Sequence, residues 1–241
     1  MHWVYSLIST INKNGIDIID EQSNFIIVNK PPGIGFHDEE GQQGFFNQVK
    51  SRLSFNELYP VHRLDKMTSG LIIFAKNKNT TSQFQQLFES KNIEKYYLAI
   101  CDKKPSKKQG LIKGDMEKSR RGAWKLLRSQ NNPAISQFFS YGLTQGKRLF
   151  IVKPYTGKTH QIRVALNSLG SPIIGDPNYY STSHADRGYL HAFALKFSID
   201  EQKYQYVVLP NIGKEYLEDE TANAISHLLS PWHLAWPKLK V

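Results

Sequence analysis

The stretch Val61-His62-Arg63-Leu64-Asp65-Lys66-Met67-Thr68-Ser69-Gly70-Leu71 sets charged and small residues between apolar flanks. Function tends to sit on such loops when a rigid scaffold holds them. On composition alone the same residues also describe a charged turn with an Arg63 to Asp65 pair. The sequel bears on architecture: Leu71-Ile72-Ile73-Phe74-Ala75 is an unbroken apolar run after Thr68-Ser69-Gly70, which predicts a buried strand entered through a tight turn.

Outward from that strand, residues 16–19 and 25–28 predict two short strands, closed by the rigid turn Lys30-Pro31-Pro32-Gly33. Phe45, Phe46, Val49, Leu53 and Leu58 fall near helical spacing and predict an amphipathic helix from Gly44 to Leu58. A second helix is expected over 80–90, with Phe84, Leu87 and Phe88 on one face, and a third over 159–169. Strand-like stretches recur at 95–100, 135–141, 149–154 and 190–197. This mixture predicts an α+β fold whose mixed, largely antiparallel sheet is flanked by helices.

A chain of 241 residues, 40% hydrophobic and 22% charged, can bury a large core. Its formal charge of +10 favours a polyanionic partner, nucleic acid or an anionic membrane. No run approaches the roughly 20 apolar residues that span a bilayer, and the first residues lack the pattern of a signal peptide, so a cytoplasmic protein is expected. Cys101 is the only cysteine, and the histidines show no HExxH-like spacing, which leaves no intrachain disulfide and no thiolate metal cluster.

Residues 103–128 hold ten Lys or Arg against Asp115 and Glu117, interrupted by Pro105, Gly110, Gly114 and Gly122. A basic, partly mobile insertion is the expectation, with Lys107, Lys108, Arg120 and Arg121 contacting the phosphates of a polyanionic partner. Beyond residue 210 the chain turns acidic and then apolar. Ile225, Leu228, Leu229 and Trp232 recur at three- and four-residue intervals, so residues 211–241 read as a helical extension packed on a domain of residues 1–210.

His62-Arg63-Leu64-Asp65 followed by Thr68-Ser69-Gly70-Leu71 resembles, unaltered, the signature of the RluA-type pseudouridine synthases. Five further landmarks resemble that family in order: Lys30-Pro31-Pro32-Gly33, Lys95-Tyr96-Tyr97-Leu98-Ala99, Thr156-Gly157-Lys158-Thr159-His160-Gln161-Ile162-Arg163, Ile174-Gly175-Asp176 and Leu190-His191-Ala192. The resemblance covers roughly residues 17–210 and implies a pseudouridine synthase domain acting on a specific uridine in structured ribosomal or transfer RNA, without a cofactor or metal. Lys158 stands where the family usually has arginine, Ala165 and Tyr180 where histidine and glycine are common, and no S4-type RNA-binding domain precedes the segment.

The resemblance implies Asp65 as the catalytic carboxylate, Tyr97 as the active-site tyrosine and Arg163 as the cation pairing with Asp65. Physical chemistry agrees with those types. A carboxylate that must stay ionised in a pocket needs a positive partner, because burial raises its pKa above about 3.9, and arginine stays charged where lysine need not. Tyrosine offers a ring for uracil and a hydroxyl for proton transfer, whereas a core tyrosine is the plainer alternative. Tyr96 should then point the other way.

Arg63 is expected either to fill the space of an extruded uridine or to contact a phosphate. His62 is expected to order the loop, Leu71 and Ile72 to line the pocket or simply to pack, and Lys158, His160 and Gln161 to meet substrate. The alternatives to a monomeric RNA-modifying enzyme are a non-catalytic RNA-binding or ribosome-assembly factor on the same fold and a carboxylate hydrolase. The second would need another catalytic carboxylate, and Asp176, the nearest candidate, is more simply read as a turn residue.

Overall fold

The computed structural model describes residues 4–6, 11–236 and 239. In chain order the elements are β1 (Val4–Ser6), β2 (Ile11–Lys13), β3 (Ile16–Glu21), β4 (Phe25–Lys30), α1 (Phe45–Arg52), β5 (Tyr59–Pro60), β6 (Ser69–Ala75), α2 (Lys78–Glu89) and β7 (Glu94–Cys101). There follow β8 (Gln109–Gly114), β9 (Met116–Lys118), β10 (Trp124–Leu126), β11 (Ala134–Gly142), β12 (Arg148–Pro154), α3 (Gln161–Ser168), β13 (Leu190–Ile199), β14 (Gln202–Val207), α4 (Lys214–Leu217) and α5 (Asp219–Ser226). Helices are few and most strand pairs antiparallel, which makes this an α+β fold. The chain gathers into two compact units, Met1–Glu94 with His191–Pro210, and Lys95–Leu190 with Asn211–Val241.

In the first unit the strands run β2-β3-β4-β6-β13, with β14 beside β13, β1 beside β14 and β5 beside β6. β6 and β13 are parallel, as are β1 and β14; the other pairs are antiparallel. Every residue of β4 and β6 is buried, because both faces are covered, and that is why Leu71 to Ala75 reads as a continuous apolar run instead of an alternating one. Asn77 caps α2 by accepting the Thr80 N–H at 2.8 Å, and Phe84 on its inner face meets Phe25 and Phe197 edge-on at 5.5 and 5.4 Å. Removing so buried an aromatic costs about 3–5 kcal/mol.

The expected helix from Gly44 to Leu58 is shorter. It ends at Arg52 because Leu53 is its C-cap and Ser54 takes a left-handed φ of 56°. Leu58 is buried as its apolarity suggests, but from extended chain leading into β5.

The second unit carries the antiparallel sheet β7-β12-β11-β8, with Tyr97 opposite Val152 and Ser136 opposite Ile112. Helix α3 packs on β11 and β12. The basic segment 103–128 is more regular than its glycines suggest. Gly110 and Gly114 lie within β8, and β9 and β10 form a hairpin in which Trp124 faces Lys118. The density of lysine had hidden β8, whose burial nevertheless alternates between exposed and covered positions.

The tail departs from a single amphipathic helix. α5 stops at Ser226, and Pro231 opens a separate short turn, so Ile225 and Leu228, both buried, and Trp232, which packs on Tyr96, belong to different local structures. Tyr216 is buried and donates to Leu98 O at 3.1 Å, Trp236 packs on Phe139 at 4.8 Å and Tyr96 at 5.9 Å, and Lys147 pairs with Glu215. Thr144 donates its N–H to Glu220, which holds that carboxyl below the usual carboxylate range. At about 1.5–3 kcal/mol for each large apolar side chain buried, truncation after Pro210 should lower the melting temperature by roughly 10 °C or more. Thermal melting of the truncated chain checks this. An unchanged midpoint would make the tail an appendage for a partner and not a brace.

Candidate active site

Asp65 sits half-buried on a loop fastened from three directions. The fully buried Lys30 ammonium donates to the carbonyls of Pro31, Lys66 and Thr68 at 3.0, 3.3 and 2.9 Å, and Gly33 N–H donates to Lys66 O at 2.8 Å. The early Lys-Pro-Pro-Gly turn thus grips the loop on the far side of Asp65. Before Asp65, His62 accepts the Ile73 N–H at 3.0 Å, which takes up a donor of β6 where β5 has ended. After it, Ser69 Oγ lies 2.7 Å from His191 Nδ1, while His191 Nε2 lies 2.9 Å from Val208 O. A carbonyl can only accept, so Nε2 carries a hydrogen and donates to Val208 O. Gly70 has a φ of 109°, and a Cβ there would lie 2.3 Å from Ala192 O, so the loop can enter β6 beside β13 only with glycine.

In the second unit Arg163, 4% exposed on α3, makes a bidentate bond to the fully buried Asp176: Nε to Oδ2 and an Nη to Oδ1, each 2.7 Å. The same Nη donates to Asn178 Oδ1 at 2.6 Å, and the guanidinium stacks 5.2 Å from the Tyr179 ring centroid. Asp176 Oδ1 also accepts the N–H groups of Asn178 and Tyr179. Asp176 is therefore a turn residue as expected and, beyond that expectation, a charged partner holding the arginine fork. Gly175 makes the turn possible, with φ 73° and room for no Cβ, since Arg187 O lies 2.0 Å from where one would be.

Early in β7, before the strand becomes buried on both faces from Leu98 onward, Tyr96 is fully covered and packs toward Trp232 and Trp236, while Tyr97 is half-exposed on the other face. Lys95 shares the Tyr97 face, and burial pushes its ammonium pKa down to about 8.

The remaining candidates fall out unevenly. Arg63 is exposed. Leu71 and Ile72 are wholly buried inside β6, and Leu71 belongs to the core with Ile27, Ile73 and Phe84. Gln161, expected to meet substrate, has its carboxamide committed within the protein: Oε1 accepts from Thr156 Oγ1 and Lys158 N, and Nε2 donates to Ile135 O and Ser136 Oγ. Those four bonds brace the turn that leads into α3. His160, in left-handed backbone at φ 56°, places Nδ1 3.1 Å from Tyr179 Oη, and Lys158 Nζ donates to Asn132 Oδ1 at 2.9 Å. Lys107, Lys108, Arg120 and Arg121 are all exposed. Sequence reasoning missed Asn178 and Tyr179, whose only signal was their place just after Gly175-Asp176. Among the described residues no group of three or more His, Cys, Asp or Glu gathers as a metal site does.

A family model described as RNA pseudouridylate synthase matches residues 24–168. A Haemophilus influenzae protein described as an uncharacterized RNA pseudouridine synthase is 47% identical over 84% of this chain and 91% of its own length. The ribosomal large subunit pseudouridine synthase C of Rickettsia bellii is 36% identical over 67% of this chain, which spans 56% of that longer relative. Human RNA pseudouridylate synthase domain containing 1 shares the fold, with a TM-score of 0.68 at 24% identity over 85% of this chain and 86% of that one. With the signature loop and the arginine turn both in place, the chain belongs to the RNA pseudouridylate synthase family, of the RluA type, and is an RNA-modifying isomerase.

Proposed function

We propose that the protein converts a specific uridine in structured ribosomal or transfer RNA to pseudouridine, with Asp65 as the nucleophile after the base is extruded. The observation that carries this reading is the loop itself: the signature residues are unaltered, and Lys30, His62 and Ser69 fix the backbone on either side of Asp65. The reaction breaks the bond between ribose C1′ and N1 of uracil, turns the base and forms a bond from C1′ to C5. The C5 proton leaves to solvent and N1 gains one, so nothing is oxidised and no group is imported.

Asp65 attacks the sugar or assists loss of the base, Tyr97 supplies a ring against which uracil stacks, and Arg163 supplies a cation fixed by Asp176. Arg63, exposed beside Asp65 in sequence, takes the space the flipped base leaves or holds a neighbouring phosphate. A relative described as acting on the ribosomal large subunit supports structured RNA as the substrate. The purified protein should release tritium from total cellular RNA labelled at uridine C5, with equal moles of pseudouridine formed. RNA binding with no release from any fraction would favour a non-catalytic RNA-binding factor.

The exposed cations of residues 103–128 are proposed to meet RNA phosphates. Each such contact releases condensed counterions, so replacing Lys107, Lys108, Arg120 and Arg121 by serine should weaken binding of all structured RNAs and reduce the slope of log affinity on log salt by roughly 2–4. An unchanged slope would leave the segment a solvated surface.

A further inference from the structure

The strands that emerge from the basic segment border a cleft of about 410 Å³ in the second unit, lined among others by Trp124, Asn131, Asn132, Lys158, Thr159 and Asp115. Its size lies within the usual range for small-molecule sites. Trp124 is half-buried, with the Lys118 ammonium 6.0 Å from its ring centroid. The Asn131 carboxamide projects from an exposed residue with both its donor and its acceptor unspent, and Asn132 keeps its NH2 group while its oxygen takes Lys158.

Asp115 staples the cleft's rim: its two oxygens accept the N–H groups of Asn131 and Asn132 at 3.0 and 2.8 Å. A carboxylate in the lining opposes an anion there. A neutral, planar ligand with donors and acceptors along its edge suits an indole face beside two carboxamides, and the phosphates on either side of it suit Lys158 in the lining and Lys118 beside the Trp124 ring.

We propose that this cleft is a subsite for an unpaired nucleobase of the RNA near the target uridine, stacked against Trp124 and read along its edge by Asn131, Asn132 and Lys158. The proposal rests on the pseudouridine synthase reading and deepens it. A direct connection runs from the subsite to the arginine turn. Trp124 N–H donates to Tyr179 Oη at 2.8 Å, and the Tyr179 ring lies under Arg163. A base seated in the cleft therefore braces the hairpin whose backbone holds Tyr179 in place.

The test compares two probes, a single-stranded RNA of about 12 nucleotides and the same chain with abasic riboses throughout. Trp124→Ala should weaken the RNA roughly tenfold or more, the effect of losing one stacked base, while changing affinity for the abasic chain by less than about twofold. Trp124→Phe should keep most of the lost affinity, since a smaller ring still stacks, and it guards against a loss caused by a misformed hairpin. Equal weakening of both probes, or of neither, would overturn the subsite. Tritium release from C5-labelled total RNA, run on the same preparations, keeps the two readings apart. Wild-type turnover without base-dependent affinity at Trp124 sinks the subsite alone, whereas base-dependent affinity without turnover sinks the enzyme assignment alone.

Discussion

Asp65→Asn is expected to abolish isomerisation, by about 10⁴-fold or more, while RNA affinity stays within a few-fold of wild type. In the proposed reading the substitution removes the nucleophile, and in any case it removes a charge without adding bulk. The Lys30 ammonium, the His62 ring and Ser69 Oγ hold the loop on either side of Asp65, and those bonds are open to the asparagine variant as well. Single-turnover measurement of C5 tritium release checks the rate, and filter binding of the same RNA checks the affinity. Residual turnover near the wild-type rate would remove Asp65 from the chemistry.

Asp176→Ala is expected to be the most damaging change outside the reacting carboxylate. It removes the carboxylate that takes the Nε and one Nη of the Arg163 guanidinium, 4% exposed, and leaves the N–H groups of Asn178 and Tyr179 without their acceptor. Breaking a buried pair by removing one member costs about 3–5 kcal/mol, which for a chain of this size lowers the melting temperature by roughly 6–20 °C. Turnover measured well below that midpoint should also fall, because the arginine fork has lost what orients it. The double replacement Arg163→Met with Asp176→Leu separates the two effects. Paired apolar substitutes can recover stability but not a cation, so the double variant should melt closer to wild type and still be inactive. A melting temperature within about 2 °C of wild type for Asp176→Ala would contradict the buried-pair argument, and full turnover in the double variant would reduce the pair to a part of the fold.

Local and continuous signals in the sequence carried furthest. β6 was legible because a strand covered on both faces needs an unbroken apolar run, and Tyr97 was separable from Tyr96 because a strand alternates. Periodicity overreached where apolar residues at helical spacing belong to chain that has left the helix. Ser54 turns left-handed after Arg52, and Pro231 opens a new turn after α5, so Leu58 is buried from non-helical chain and Trp232 is half-buried from a separate 3-10 turn. Partnership was the least legible property. Nothing in Gly175-Asp176 says that its carboxylate meets an arginine 13 residues earlier, nor that Gln161 saturates its carboxamide on Thr156, Ile135 and Ser136. These are facts of three-dimensional closure, and a linear pattern records the residue type but not the bond.

The most direct test of the central claim is a transcriptome-wide map of pseudouridine in cells carrying the gene, lacking it, and lacking it but supplied with either the wild-type chain or Asp65→Asn. At least one uridine in ribosomal or transfer RNA should lose its modification in the deletion, regain it with the wild-type chain, and remain unmodified with Asp65→Asn expressed at the same level. Identical maps with and without the gene, or a site restored equally by Asp65→Asn, would contradict the account.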